Sequence, residues 1–227
     1  MQIDSVVAYA NSVNEKKLEF LKNRNDKIKL GIFGGTFDPI HFAHLAMNEF
    51  IREKYNLDVI VFMPSGNPPH KSNIPDKHER YNMTLLATLD NDYFVVSDFE
   101  IKSKQKTYTI NTLKYLKEKY KNADIYFITG ADVICSIEEW EQVENIFAYA
   151  TFIAATRPGI SLLKSQEQIE KLIKKYNAKI ISVYVPSIDV SSTYIREQLQ
   201  EGKSIRYLVP YKVESYLKDK KIYSLER

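Results

Sequence analysis

The sequence is poor in the features that would place it outside the cell or in a membrane. Cys135 is its only cysteine, so no disulfide can form within the chain, which weakly favours a reducing compartment. No apolar run approaches the ~20 residues of a membrane span. Asp4 lies where a secretory signal would carry basic residues, and the apolar stretch after it is short and interrupted. These absences predict a cytoplasmic protein without a membrane partner.

An excess of charge of one sign is also missing. The 32 Lys and Arg residues are nearly balanced by 29 Asp and Glu residues, which leaves a formal net charge of +3. A dedicated nucleic-acid-binding protein usually carries a strongly basic face, so this balance argues against nucleic acid as a partner. A local basic site for a small anion remains compatible with it. A chain of 227 residues also buries enough apolar surface to fold without a disulfide or a structural metal.

Short runs of β-branched and aromatic residues alternate with segments of helical periodicity. The predicted strands are 28–33, 58–63, 94–97, 124–129, 151–155 and 179–185, and the predicted helices are 43–55, 77–89, 107–120, 162–176 and 191–200. This alternation predicts an α/β fold, Rossmann-like and doubly wound around a mainly parallel sheet, with ligands bound beyond the carboxyl ends of the strands. Residues 28–227 are expected to form this domain. Residues 1–27 are expected to be an extension, either with an amphipathic helix over 15–24 that packs on its own domain or as a partly ordered arm, and a partner-binding role is the minor alternative.

The segment from Gly34 to His44, Gly-Gly-Thr-Phe-Asp-Pro-Ile-His-Phe-Ala-His, directly follows the first predicted strand. Its paired glycines are expected to let the backbone turn sharply and approach a ligand without an intervening Cβ. The Asp38-Pro39 pair then favours a turn before a helix, so that backbone N–H groups and a helix N-terminus would face an anion such as phosphate. The spacing matches neither G-x-G-x-x-G nor a P-loop, so it predicts neither a dinucleotide cofactor nor Walker-type hydrolysis.

His41 and His44 are spaced to face the same side of a helical turn. Such a pair could bind a metal ion, but no third ligand in a known zinc pattern lies nearby in the sequence, and no metal site is predicted. After a Gly-Gly segment at a strand end, the two histidines are better suited to donating hydrogen bonds to a transferring phosphoryl group. We therefore predict that both are catalytic.

Three further segments carry groups suited to phosphate or ribose. Lys71 lies in a proline-stiffened loop and could present an ammonium to a triphosphate, although a solvated surface lysine is the alternative. Asp132, just past a predicted strand, could accept hydrogen bonds from ribose hydroxyls. Arg196 lies one helical turn after Thr193, so its guanidinium could bind the same phosphate as that hydroxyl, or else be a surface arginine on a capped helix. Arg80 is a weaker candidate for the phosphates.

Together these segments resemble the nucleotidyltransferase superfamily of cytidylyltransferases and of adenylyltransferases for pantetheine phosphate and nicotinate nucleotides. The segment 34–44 and Ser-Ser-Thr-Tyr-Ile-Arg at 191–196 carry the likeness to the superfamily, and with it a fold of nucleotidyltransferase type. Pro-Pro-His-Lys at 68–71, Thr-Tyr-Thr at 107–109 and Gly-Ala-Asp followed by Trp140 are most similar to nicotinate-nucleotide adenylyltransferases. The likeness extends in collinear order over about residues 28–227.

One residue departs from the resembled pattern. Ala43 stands where the family usually has glycine, just before the second histidine. The extra methyl group is acceptable if the backbone there is helical, and is strained if the position needs a positive φ.

The resemblance implies roles for individual residues of this chain. The implied catalytic residues are His41, His44, Lys71 and Arg196. The implied ATP-binding residues are Gly34, Gly35, Thr36, Phe37, Gly130, Asp132, Ser192 and Thr193. The implied residues for nicotinate mononucleotide are Thr107, Tyr108, Thr109, Trp140 and Arg157, with the tryptophan stacked on the pyridine ring. Without the resemblance, Thr107 would be read as a helix N-cap and Trp140 as part of the core.

The resemblance also implies the reaction. AMP would pass from ATP, with Mg²⁺, to nicotinate mononucleotide, giving nicotinate adenine dinucleotide and pyrophosphate in NAD biosynthesis. A sister enzyme that uses nicotinamide mononucleotide or phosphopantetheine stays open, and so does a homo-oligomeric state. A nucleotide-binding sensor without catalysis is a third alternative, against which the retention of both histidines, Lys71 and Arg196 argues.

Overall fold

A single six-stranded sheet organises the protein, as seen in a computed structural model that describes residues 2–68, 74–156, 162–186 and 188–223. The strands are β1 Ile28–Gly35, β2 Val59–Pro64, β3 Phe94–Val96, β4 Ala123–Gly130, β5 Thr151–Thr156 and β6 Ile180–Tyr184. Every neighbouring pair is parallel, and the spatial order is β3-β2-β1-β4-β5-β6. The predicted Rossmann-like, doubly wound fold is therefore confirmed, with all six predicted strands present.

The order of the strands reverses between β1 and β4. β1 pairs with β2 on one side, where Gly34 lies opposite Met63, and with β4 on the other, where Phe33 lies opposite Ile128. In an open parallel sheet, the crevice outside the carboxyl ends of the strands at such a switch point is where ligands bind. The segment that follows β1 starts in this crevice.

Ten α-helices are described around the sheet. They are α1 Ile3–Lys22, α2 Phe42–Tyr55, α3 Lys77–Thr88, α4 Phe99–Lys102, α5 Thr109–Lys119, α6 Ala131–Cys135, α7 Val143–Tyr149, α8 Leu162–Tyr176, α9 Ser192–Gln200 and α10 Tyr211–Asp219, with a 3₁₀ turn at Ile137–Glu139. The five helices predicted after residue 28 all occur, within two residues at each end. The short helices α4, α6 and α7 and the helix α10 are absent from the sequence prediction.

Apolar side chains on both faces of the strands create two cores. Leu30 and Ile32 of β1 contribute to the core under α5, α7 and α8, whereas Phe62 of β2 contributes to the core under α2, α3 and α10. Strands buried on both faces read as continuous apolar runs, which is how these strands appear in the sequence. Among the residues that the structure describes, no helix combines the length and apolar character needed to cross a bilayer.

Helix α1 lies against β3, the strand at one edge of the sheet. The side-chain amide of Asn14 donates to the Val96 carbonyl at 2.9 Å, and the Val96 N–H donates to the Asn14 side-chain oxygen at 2.7 Å. Asn14 is buried, and Leu21 of the same helix enters the core. An unpaired strand edge invites association with another chain, and this helix satisfies the backbone groups of Val96 at that edge.

Candidate active site

A cavity of about 320 Å³ opens at the carboxyl ends of β1 and β4. Among its described lining residues are both histidines and four of the eight residues implied for ATP: His41, His44, Gly34, Gly130, Asp132 and Ser192. These residues come from three separate segments of the chain, 34–44, 130–132 and the start of α9, which the sheet brings to one edge. The cavity therefore lies at the topological switch point, where this class of fold binds ligands.

The two glycines of the first motif belong to β1 rather than to the turn. Neither has a positive φ; the left-handed residue of this segment is Phe37, with φ of 52°. The prediction that paired glycines make a sharp turn is therefore wrong. A Cβ on Gly35 would lie 2.7 Å from the Phe37 ring, whereas a Cβ on Gly34 would meet only Phe127 at 3.9 Å. Glycine at 35 thus leaves room for an aromatic ring, and glycine at 34 keeps the cavity floor open.

His41 and His44 are held together at the start of α2. Their rings stack with centroids 3.7 Å apart, and the Phe37 ring, only 2% exposed, lies edge-on to His44 at 5.4 Å. The His41 backbone N–H donates to Nδ1 of His44 at 3.3 Å. An Nδ1 that accepts a hydrogen bond leaves the proton of neutral imidazole on Nε2. His44 is therefore oriented to act as an Nε2–H donor, and Phe37 supports its ring from within the protein.

Ala43 lies in the first turn of α2, where the backbone is helical. It is not among the described residues with a positive φ. Its methyl group lines the cavity. The departure from the resembled pattern is therefore free of backbone strain.

We expect Ala43→Gly to lower stability by roughly 0.5–1 kcal/mol, because glycine loses more backbone entropy than alanine when a helix forms. Denaturant unfolding measures this change. Steady-state kinetics should show kcat/KM for ATP within about threefold of the wild-type value, since the methyl group contacts the cavity without straining it. A tenfold gain in kcat/KM would instead mean that the methyl group obstructs the nucleotide.

Arg196 and Asp38 join α9 to the loop that follows β1. Nη1 of Arg196 donates to the Asp38 carbonyl at 2.7 Å and lies 3.3 Å from the Asp38 carboxylate, while Nη2 donates to Oγ1 of Thr193 at 3.2 Å. The Ser192 hydroxyl donates to the Pro39 carbonyl at 2.9 Å. The Arg196 side chain is about 30% exposed to solvent. It is thus fixed on one side and accessible on the other, as an anion-binding arginine should be.

Tyr223 completes the surroundings of Asp38 from the far end of the chain. Its hydroxyl donates a short hydrogen bond to the Asp38 carboxylate. Burial, and then this hydrogen bond, raise the pKa of Tyr223 above its usual range, so the phenol stays a proton donor at neutral pH. Sequence reasoning assigned Asp38 only a turn and Tyr223 nothing, because their contact spans 185 positions.

Asp132 lies in the first turn of α6, immediately after β4. Its side chain is exposed and lines the cavity. A Cβ on Gly130 would lie 2.2 Å from the Asp132 carboxylate, so the close approach of this side chain requires glycine there. The carboxylate is therefore directed over the strand end, where a ribose hydroxyl could donate to it.

Four residues implied for the second substrate, Thr107, Tyr108, Thr109 and Trp140, are not among the described residues that line this cavity. The Thr107 hydroxyl donates to Oε2 of Glu100 at 2.8 Å. Thr107 is not an N-cap, as one reading predicted, because α5 begins at Thr109 and Tyr108 precedes it. The Trp140 ring is partly buried and lies edge-on to Phe127, with centroids 5.9 Å apart.

Two of the predicted residues, Lys71 and Arg157, lie outside the described residues. Arg80, the weaker candidate for the phosphates, is fully buried. Its guanidinium donates to three backbone carbonyls, those of Thr36, Gly66 and Pro75. It is therefore not available to a phosphate. In the part of the chain that the structure describes, no three His, Cys, Asp or Glu side chains cluster closely enough to hold a metal ion.

A larger groove, of about 640 Å³, lies between α1 and the amino ends of β2 and β3. Its basic side chains include Arg24 and Arg52, which are already paired with nearby carboxylates. The groove is at the opposite end of the strands from the histidines. Size alone therefore does not identify the site, and the smaller cavity is the one lined by His41 and His44.

Comparisons with known proteins agree with this geometry. A family model described as cytidylyltransferase-like matches residues 32–198. A "Probable nicotinate-nucleotide adenylyltransferase" of Thermoanaerobacter sp. (strain X514) is 44% identical over 200 residues, covering 87% of this chain and 95% of that protein. A protein of the same name from Clostridium novyi (strain NT) is 41% identical over 197 residues, covering 86% and 98%.

The fold has a counterpart among solved structures. The structure of Plasmodium falciparum nicotinic acid mononucleotide adenylyltransferase complexed with NaAD superposes with a TM-score of 0.71, covering 86% of this chain and 97% of that chain. The two sequences are 23% identical. This likeness supports the architecture of the fold.

Proposed function

Because this chain belongs to the nicotinate-nucleotide adenylyltransferase family, we propose that it transfers AMP from ATP to nicotinate mononucleotide. The products are nicotinate adenine dinucleotide and pyrophosphate, and the reaction is a step of NAD biosynthesis. The observation that carries the proposal is the stacked pair of His41 and His44 in the cavity at the switch point of the sheet.

The chemistry needs electrostatic stabilisation more than proton transfer. The attacking group is a phosphate oxygen of nicotinate mononucleotide, which is largely ionised at neutral pH. A general base is therefore unnecessary, and the protein must bring two polyanions together and stabilise charge on the α-phosphoryl group. The Nε2–H of His44 and the guanidinium of Arg196 are donors that suit this task. Transfer is direct and in line, without a covalent enzyme intermediate.

The assignment of the remaining residues is also part of the proposal. Gly34, Gly130, Asp132 and Ser192, on the cavity wall, bind ATP. Thr193 contributes a hydroxyl beside Arg196. Gly35 at the end of β1, and Thr36 and Phe37 after it, form the segment next to the histidines and also contribute to ATP binding. The pyridine end is bound by Thr107, Tyr108, Thr109 and Trp140. By family resemblance alone, Lys71 is assigned to the phosphates and Arg157 to the nicotinate site.

Nucleotidyltransferases generally use a divalent metal ion with ATP. We propose that the ion is Mg²⁺ and that it enters as part of the MgATP substrate, because triphosphate oxygens are the hard ligands that Mg²⁺ prefers. In that complex it would offset negative charge on the leaving pyrophosphate. The donors of this chain, His44 and Arg196, act on the same charge from the protein side.

Pyrophosphate release tests the proposal. The purified protein, with MgATP, is given nicotinate mononucleotide, nicotinamide mononucleotide or phosphopantetheine in separate assays. We expect the highest kcat/KM with nicotinate mononucleotide, and nicotinate adenine dinucleotide as the product by mass. Turnover of phosphopantetheine without turnover of the nicotinate substrate would overturn the choice of acceptor. ATP binding without pyrophosphate release under any acceptor would support a sensor instead.

A further inference from the structure

Glu100, at the second position of α4, joins three segments of the chain. The Thr107 hydroxyl donates to its Oε2 at 2.8 Å, and the Thr112 hydroxyl of α5 donates to its Oε1 at 2.7 Å. The backbone N–H of Gly66 donates to the same carboxylate. Glu100 is 9% exposed and Thr112 is 2% exposed. A buried carboxylate is tolerated only when donors surround it, and here three do so.

Arg80, at the start of α3, contacts the carbonyl of Gly66, whereas Glu100 contacts its N–H. Nη2 of its buried guanidinium donates to the Gly66 carbonyl at 3.1 Å, and Nη1 donates to the Thr36 carbonyl at 2.8 Å. One peptide segment is thus bound at its N–H by Glu100 and at its carbonyl by Arg80. A Cβ on Gly66 would lie 2.0 Å from the Glu100 carbonyl, so the backbones of the two segments touch.

Burial of the charged side chains of Arg80 and Glu100 is energetically unfavourable, because both lose contact with water. Burial lowers the pKa of Arg80 and raises the pKa of Glu100, while the Thr112 and Thr107 hydroxyls oppose the shift of the carboxyl. An apolar pair of similar volume would stabilise a core at least as well. What this arrangement adds is a continuous series of hydrogen bonds from Thr36, beside the histidines, to Thr107, in the segment assigned to the pyridine end.

We propose that Arg80, Gly66 and Glu100 form a brace that positions the acceptor-binding segment 107–109 relative to the segment 34–37 at the end of β1. This inference rests on the proposed function, which assigns the two segments to the two substrates. Neither charged side chain touches a substrate: both are positioning residues. By fixing the distance between the two half-sites, the brace reduces the entropy lost when the two polyanions are aligned for transfer.

Glu100→Gln tests the brace, with Thr112→Val as its matched control. The glutamine removes the negative charge shared by the three donors and replaces one acceptor oxygen with an N–H₂ group, so at least one contact of the carboxylate is lost. The control removes one buried hydrogen bond to the same carboxylate from within α5, and leaves the Thr107 hydroxyl and the Gly66 N–H their acceptor. Both variants lose stability, so a lower melting temperature does not distinguish them. The distinguishing readouts are substrate-specific kinetics and local hydrogen exchange.

We expect Glu100→Gln to raise KM for nicotinate mononucleotide by about tenfold, as loss of one charge-assisted hydrogen bond does, while KM for ATP stays within about twofold. Thr112→Val should leave both KM values within about twofold of the wild type. In hydrogen exchange, peptides over 64–68 and 104–108 should lose protection in Glu100→Gln and keep it in Thr112→Val. Equal KM values and equal exchange in the two variants would overturn the brace and leave a structural carboxylate.

Hydrogen exchange also separates this inference from the proposed function. It is measured on the intact protein without substrate, so it reports on the brace whatever the acceptor is. If the wild-type protein fails to use nicotinate mononucleotide while Glu100→Gln still loosens both peptides together, the proposed substrate fails and the brace stands. If the wild type uses that substrate and the two peptides respond independently, the brace fails and the proposed function stands.

Discussion

Replacing His44 with alanine lowers kcat by at least about 10²-fold and changes KM for ATP by less than about threefold. The reason is that Nδ1 of His44 accepts the His41 backbone N–H, which directs the Nε2–H toward the cavity. A donor aimed at the position where charge develops stabilises the transition state more than bound ATP. Pre-steady-state and steady-state pyrophosphate release measure the effect.

His44→Asn is the matched control for this prediction. The asparagine side-chain oxygen can replace Nδ1 as the acceptor for the His41 N–H, but no group reaches the position of Nε2. We expect the asparagine variant to keep the wild-type melting temperature and to lose as much kcat as the alanine variant. An unchanged kcat in either variant would be incompatible with the catalytic role of His44.

Arg196→Lys lowers kcat/KM by about 10²-fold, which corresponds to about 2.7 kcal/mol of transition-state stabilisation. The variant keeps the positive charge but loses the planar fork that reaches the Asp38 carbonyl, Thr193 and a phosphate at the same time. If Arg196 neutralises the leaving group, inhibition by added pyrophosphate should weaken in parallel. Competition kinetics against MgATP measures both quantities.

Arg52→Lys provides the comparison for this substitution. Arg52 is on the last turn of α2, paired with Glu49 and placed over the Tyr93 ring at 4.1 Å, at the opposite end of the strands. The same chemical change there should leave kcat/KM and inhibition by pyrophosphate as in the wild type. Equal losses in the two variants would attribute the effect to stability rather than to the position of Arg196.

The sheet was predictable because its signal is local. Each strand is a run of β-branched and aromatic residues, and such runs are typical of parallel strands that are buried on both faces. The helices missed were α4, α6, α7 and α10. In α10 a periodic signal was present, since Val213, Tyr216 and Leu217 are buried at helical spacing after Pro210. The helix was nevertheless not predicted, because the motifs that define the site end at Arg196.

The details of the site depend on contacts that no local pattern encodes. A left-handed φ is predicted for glycine, yet Phe37 adopts it while Gly34 and Gly35 extend the strand, because packing against His44 outweighs the preference of the backbone. Arg80 was predicted as a weaker candidate for the phosphates, because the sequence does not show that its guanidinium donates to the carbonyls of Thr36, Gly66 and Pro75. The roles of the site residues and the division of the chain at residue 28 stay predictions.

The hydrogen bond between Tyr223 and Asp38 joins two residues that are synthesised at widely separated times. Asp38 leaves the ribosome early, together with the histidines, whereas its phenol partner emerges 185 residues later. Contacts of such long sequence separation form late, because a large loop must close first. The loop that carries Asp38 therefore acquires this support only after residue 223 has been translated. A truncated chain that retained every motif discussed above would still lack that support.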